Sequence, residues 1–573
     1  MKVLFDIQNI NNNRYNTSFT AKLPQEQISK CIDRTKIFDY MQSLCNPAIA
    51  AIKRGEGNMS ETEKFIKIRD DFSVGLEKVN LSTEKTAWDF YTNSCPETQK
   101  AYEKAQDEFA QLFQNREYYE KFSEIDKDKL PHHEQKQLKD LLKSFDNYLN
   151  TGEALKALEK RENEIAQKYN SYVPKINGKE VTKTEITKII QSESNPDIRK
   201  QAYEARIKGG DLIADDLVEF VKMRNEYAKT KGYDNYFDYK LKEDYEVEAD
   251  FLDSLINEVY SGAKTKISDI QNQKYKELKE FFKTDKLEGY HYGYLLPSNP
   301  EKAVNEILEN QNIEQISKQI YNGMGYDVDE FIANGNLTLD LYPRKGKNTH
   351  GFCFGIEAGK DSRILANLSN NVISLDTLNH EMGHCIYDLG ISRDLPVVDR
   401  CPSSSAFTEA VAMMMGDIMK KETVLKDILP QDLLKSFMAS HSEDEADFIS
   451  KSLLIIDFER ELYKNPDQNP AKLWQTLRKK YKNQNHAADN EWATIPHYLS
   501  HPAYYQNYFR ATIMKAQIYK YLRDTLGEIT KNTGSADFLK QKIFSLGQSV
   551  EEYDLIKQLT GKKFSATDFI DTL

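Results

Sequence analysis

Apolar residues recur at helical spacing over most of the chain. In "ETQKAYEKAQDEFAQLF" they set Ala101, Ala105, Phe109 and Phe113 near one face. "DDLVEFVKMRNEYAKTKGY" does the same with Leu217, Val221 and Arg224, and Gly232 reads as a helix stop. "KDKLPHHEQKQLKDLLKSFDNYL" is a further amphipathic run. One region breaks the pattern. "LTLDLYPRKGKNTHGFCFGIEAGKDSRILANLS" has short apolar runs interrupted by Gly, Lys and Asp, and predicts strands over 337–341, 351–356 and 363–368. They lead directly into "LDTLNHEMGH". With no repeat of 20 to 50 residues and no long linker, the chain reads as one intertwined helical unit over 25–573, after a polar, Asn-rich and loosely ordered segment 1–24. The expected fold is mainly α, with a small antiparallel sheet beside the HEMGH helix.

Composition narrows the class. Charged residues make up 29% of 573 residues and the net charge is −12, so no nucleic-acid partner is expected. No run of 18 apolar residues predicts a transmembrane segment. Asp6 interrupts the apolar start and no signal-peptide core follows, so a cytoplasmic location is expected, or a secreted or periplasmic one if a leader has been removed. The six cysteines are scattered without C-x-x-C spacing and read as reduced thiols.

The chemistry begins at "HEMGH", residues 380–384, in a chain of ten histidines. Positions i and i+4 of a helix lie one above the other, so His380 and His384 can chelate one ion. Glu381 is then placed to take a proton from a water that zinc has acidified. A hydrolytic zinc site needs a third protein ligand. Glu409, 25 residues beyond His384 (409 − 384) in "SSSAFTEAVAMMMGDIMK", is the leading candidate, with Ser403 to Ser405 offering caps for its helix. Glu357, Asp376 and Asp417 compete; Asp376, one turn before His380, fits better as support for a ligand.

A second cluster lies in "WATIPHYLSHPAYYQNYFRATI", where two histidines and four tyrosines fall between His497 and Phe509. Tyr hydroxyls and His N–H groups can stabilise the oxyanion of amide hydrolysis. Tyr505 and Tyr508 would share a helix face. Ordinary aromatic packing is the competing reading in a chain of 33 tyrosines.

Taken in order, "AWDFYTN" (87–93), "MRNEYAKTKGY", "HEMGH" with "SRDLPVV" and "FTEA", "LWQTLRKKY" and the C-terminal "FSLGQSVEEYDLIKQLTGKKFSATDFI" resemble the angiotensin-converting enzyme family of zinc dipeptidyl carboxypeptidases, with features of the related oligopeptidases, over roughly 87–573. The resemblance implies a two-lobed helical fold with a deep channel and one zinc per chain on His380, His384 and Glu409. It makes Glu381 the general base and Tyr508 the oxyanion donor, with His497 beside it and His501 as rival. It places substrate against His350, Gly351, Phe352 and Tyr505, and an anion site at Trp474 and Arg478.

Departures from the family's pattern shape the expected activity. Asn507 stands where an arginine helps hold activating chloride, so weak chloride dependence is expected. Ile495 falls near the position of the lysine that grips the substrate's C-terminal carboxylate. His501 could replace that lysine when protonated, raising selectivity as pH falls through ~6.5. The leading expectation is a zinc metallopeptidase of short peptides that releases C-terminal dipeptides. The alternatives are an oligopeptidase that cuts internally and a catalytically silent peptide-binding protein on the same scaffold.

Overall fold

The computed structural model describes residues 59–149, 152–348 and 351–573. The segment 1–24 and His350 lie outside them. The fold is mainly helical. Among the described residues two compact units are distinguished: one of residues 59–149 with 396–398, the other of residues 152–348, 351–395 and 399–573.

In the first unit, helices α1 (Glu61–Thr92), α2 (Pro96–Phe113), α3 (Arg116–Ser123) and α4 (His132–Leu149) follow one another. Ser60 caps α1 in a capping box with Glu63. Phenylalanines from all four helices meet: Phe72 lies 5.4 Å from Phe113, 5.8 Å from Phe122 and 5.2 Å from Phe145, ring centre to ring centre. Each such pair adds about 0.5–1.5 kcal/mol beyond the area it buries. These helices therefore satisfy their apolar faces among themselves, which is why they form a unit. Ala105, Phe109 and Phe113 are buried as their spacing predicts, whereas Ala101 is exposed.

The second unit contains a minimal hairpin, β1 (Lys175–Ile176) and β2 (Lys179–Glu180), and the helices α5 (Ala214–Thr230), α6 (Ala249–Phe282) and α7 (Ile313–Met324). Leu217, Val221 and Arg224 are buried on α5, and Gly232 just beyond it takes φ +85°. A three-stranded sheet follows: β3 (Leu337–Asp340), β4 (Phe352–Glu357) and β5 (Asp361–Leu365). Its strand order is β3-β5-β4, with β4 antiparallel to β5 but β3 parallel to β5. The sheet is therefore mixed, not antiparallel as expected. Only the β4–β5 connection is a tight turn, with Gly359 at φ +74°; the longer β3–β4 connection lets β5 insert between them. Next come α8 (Val372–Gly390), α9 (Ser405–Ile418), α10 (Gln431–Lys464), α11 (Pro470–Lys482) and α12 (Tyr505–Leu526). Asn371 caps α8 and Ser404 caps α9. No helix among the described residues is long and apolar enough to cross a membrane.

Candidate metal centre

The site is built where α8 and α9 cross. Gly383, inside HEMGH, lets them approach: a Cβ there would sit 2.9 Å from Ala412 Cα and 3.0 Å from Met415 Cβ. A larger residue would push α9, and Glu409 with it, away from the histidines. From below, α7 fixes the register of α8. Tyr321 OH donates to Asn379 O at 2.8 Å, and Ser317 Oγ donates to Asn379 Oδ1 at 3.1 Å.

His380, His384 and Glu409 offer ligand atoms that all lie within 4.8 Å of one another. The two imidazole rings stand at 86°, 4.9 Å apart, and His380 Nε2 lies 3.6 Å from Glu409 Oε2. That oxygen is buried without a hydrogen-bond partner, an arrangement that costs free energy unless a cation fills the space. Two imidazoles and one carboxylate are a zinc-type donor set, so these residues fit a metal. Burial holds His384 well below its ordinary value, which keeps it neutral as a ligand must be. Its Nδ1 lies 2.9 Å from Thr408 Oγ1, a contact that orients the ring. Burial also raises the Glu409 carboxyl, with His380 opposing.

The competing carboxylates are engaged elsewhere. Asp376 pairs with Lys420 at 3.2 Å rather than supporting a histidine ligand. Glu357 pairs with Lys360 and Arg393, each at 2.7 Å. Asp417 pairs with Lys515 at 2.5 Å.

Glu381 is buried beneath the sheet. Burial pushes its carboxyl up to about 6, His380 opposes, Glu409 adds to the rise, and the Cys353 amide of β4 donates to it. Gly351 lies beside it, where a Cβ would be 3.8 Å from Glu381 Oε1. Phe352 opens β4 and is half-buried. β4 is the outer strand of its sheet among the described residues, with its start at the site.

The His/Tyr cluster closes around the same place. His497 lies 4.8 Å from Tyr505 and 6.1 Å from Tyr508, ring centre to ring centre, and 5.8 Å from His501. Burial raises the Tyr508 hydroxyl, and the nearby Glu409, Tyr505 and Glu381 raise it further. Burial also pushes His497 and His501 down to about 4, each with a neighbouring positive group adding to the fall. Burial thus disfavours the protonated His501 that a carboxylate anchor requires. Its Nε2 and His497 Nδ1 are buried without partners.

Sequence reasoning missed Tyr504. Its hydroxyl reaches Glu409 Oε1 at 3.5 Å, and its ring lies 5.2 Å from Tyr508. The i, i+4 spacing of Tyr504 and Tyr508 was the available signal. Also missed was Glu552, which accepts from Ser404 at the start of α9 and from Arg510 on α12, tying the helix of Glu409 to that of Tyr508.

Trp474 and Arg478 come together, but around a carboxylate of the protein's own. Trp474 Nε1 donates to Glu491 Oε2 at 3.3 Å, and Arg478 pairs with the same oxygen and with Gln484. Arg206 reaches the other Glu491 oxygen at 3.3 Å, so two arginines share this carboxylate.

A two-histidine, one-glutamate centre with HExxH on a helix beside a small sheet defines the class of HExxH metallopeptidase sites. The profile of peptidase family M3 matches residues 189–573, and the chain belongs to that family. The angiotensin-converting enzyme profile matches residues 58–287 and ends before HEMGH, which corrects the closer kinship expected with that family at the site. Similar curated proteins include an oligoendopeptidase F homolog of Borreliella burgdorferi, 21% identical over 378 residues, covering 62% of this chain and 61% of that protein. Oligopeptidase PepF of Bacillus subtilis is 23% identical over 366 residues, 60% of this chain and 52% of that protein. The chain thus spans about three-fifths of one relative's length and about half of the other's.

Proposed function

We propose that the chain is a zinc oligopeptidase that cuts short peptides internally. The carrying observation is the convergence of His380, His384 and Glu409 within 4.8 Å around an unpartnered buried carboxylate oxygen. Those three residues would hold the ion. When bound, zinc supplies Lewis acidity to the scissile carbonyl and to water.

The remaining work belongs to side chains and backbone. Glu381 takes the proton of the attacking water and passes it to the leaving amine. Tyr508 donates its hydroxyl to the developing oxyanion, with His497 beside it. The start of β4, at Gly351 and Phe352, offers main-chain groups to an extended peptide, which is strand addition at a sheet edge. His501 and Tyr505 line the opposite side of the substrate as neutral contacts, and His350 joins them on the strength of the family resemblance. Chloride dependence is expected to be weak, because Trp474 and Arg478 already share the Glu491 carboxylate.

Internal cutting is favoured over dipeptide release by two observations. The family M3 profile covers the metal ligands, and both relatives are named as oligopeptidases. A silent peptide binder is disfavoured because Glu381 is kept buried, at a cost in desolvation, beside the ligands.

Mass spectrometry of products from a peptide library, with and without a chelator, tests the reading. Internal cuts that vanish with chelator and return with zinc are expected. Products shortened only by C-terminal dipeptides would sink internal cutting, and no chelator-sensitive product would sink the peptidase.

A further inference from the structure

We propose that Glu459 is a positioning residue, whose carboxyl group holds Ala503 in the left-handed backbone conformation that aims Tyr504 and Tyr508 at the metal ligands. Its kinetic arm rests on the peptidase reading; its structural arm does not.

Glu459 lies on α10 and is 3% exposed. Its Oε1 accepts the Ala503 N–H at 3.0 Å. Ala503 has φ +60°, a region that residues with a Cβ rarely enter. It is itself buried, so water cannot take the place of the missing acceptor. The next residue is Tyr504, which reaches Glu409, and α12 begins directly afterwards with Tyr505 and Tyr508 on its first turn. A change of φ at Ala503 would swing all three tyrosines.

The other end of the turn is clamped from the same side. Arg224 of α5, 2% exposed, donates to Tyr498 O at 2.8 Å and to Leu499 O at 2.5 Å. Tyr498 OH donates to Ile455 O at 3.3 Å, one helical turn before Glu459 on α10. With residues 498–499 pinned, the chain reverses over a few residues before α12, and Ala503 absorbs the turn. Glycine would adopt this φ without Cβ strain; alanine bears that strain, and the bond from its N–H to Glu459 offsets it. The acceptor matters more than the charge, since burial pushes the Glu459 carboxyl up to about 8 and its carbonyl oxygen accepts in either protonation state.

The test uses Glu459→Ala, Glu459→Gln and Glu459→Ala combined with Ala503→Gly, read by amide hydrogen exchange of residues 504–508, zinc content and kcat. Glu459→Met, which fills the volume without an acceptor for N–H, serves if the alanine cavity prevents folding. Glu459→Ala is expected to speed exchange at 504–508 and to lower kcat about tenfold, with zinc content and KM nearly unchanged, as displacement of a reacting group does. Glu459→Gln should match the wild type. Ala503→Gly in the Glu459→Ala background should restore exchange protection and kcat in part, because it removes the Cβ strain while the N–H stays unpaired. Unchanged exchange in Glu459→Ala, a Gln variant as damaged as the Ala variant, or no rescue by glycine would each overturn the proposal. A wild-type protein without peptidase activity would instead overturn the functional reading, and exchange alone would then decide this inference.

Discussion

His380, His384 and Glu409 form one triad of metal-ligating side chains; Asp417, His441 and Glu445 form another, and in each the ligand atoms lie within 4.8 Å of one another. They sit at two levels of α9, the first with histidines from α8 and the second with His441 and Glu445 from α10. Glu409 faces Tyr504 and Tyr508 where α9 meets α12, and two turns further along Asp417 faces Lys515. The difference is the cation. Lys515 donates to Asp417 Oδ2 at 2.5 Å and to Glu445 Oε1 at 2.7 Å, and Lys420 adds a second charge at 3.5 Å from Asp417. At the upper level a buried carboxylate oxygen, Glu409 Oε2, has no hydrogen-bond partner and, among the described residues, no lysine or arginine in contact, only the His380 ring at 3.6 Å. Ligand geometry is therefore common to both triads, and charge balance separates a structural ion-pair cluster from the candidate metal centre.

The sharpest way to break the comparison is to remove one carboxylate from each level. Glu409→Ala should lose zinc, as read by elemental analysis, and with it all activity, whereas Glu445→Ala should retain wild-type zinc. Equal retention in the two would end the assignment of Glu409. Next in size, Glu381→Gln should keep zinc and lose about a thousandfold in kcat, since general base catalysis contributes roughly 10²–10⁴. Near-normal turnover with metal bound would remove Glu381 from the reaction.

Lys515→Met probes the lower level. Removing one partner of a buried ionic cluster costs about 3–5 kcal/mol, and the variant should acquire a second zinc-dependent rise in Tm that the wild type lacks. Its pH dependence has a defined sign. Burial would raise the Asp417 carboxyl, but the Lys515 and Lys420 ammoniums outweigh it and hold it well below the carboxylate range. The ion-pair stabilisation is thus complete above about pH 4 and is lost as pH falls further. The Tm gap between variant and wild type should narrow on acidification; a gap that widens would contradict the ion-pair account.

Tyr508→Phe should lower kcat about a hundredfold with little change in KM, because an oxyanion donor acts in the transition state. A pure KM effect would make it a ground-state contact. The smallest effect is expected from Thr408→Val, which removes the hydroxyl beside His384 Nδ1 and should weaken zinc affinity about tenfold, as loss of such supporting contacts does. Unaltered affinity in a zinc competition titration would show that the ring needs no such support.

Much of this was legible in the residues. Helical spacing located α2, α5 and α4, Gly232 marked a helix stop, and a Ser in 403–405 was expected to cap the helix of Glu409 and does so through Ser404. Strand positions were right to within a few residues, but pairing direction was not, because apolar alternation marks a strand's faces and says nothing of its neighbours. Glu409 could be ranked first but not separated from Asp376 and Asp417, since local spacing does not reveal which carboxylates already have lysine partners. That Trp474 and Arg478 share a carboxylate of the protein's own was hidden for the same reason: Glu491 is invisible as their partner until the chain folds.

What the sequence alone determined is local: a mainly helical chain, two histidines one turn apart with a glutamate between them, and a tyrosine-rich segment with the right chemistry for an oxyanion. These follow from periodicities of 3.6 and 2 residues and from side-chain type. The tertiary structure decided which charges meet. It brought Gly383 against Ala412 so that Glu409 reaches the histidines, set Lys515 between Asp417 and Glu445, and used Glu459 to bend the chain at Ala503. Electrostatic pairing depends on distances between residues tens to hundreds of positions apart, and only packing fixes those distances.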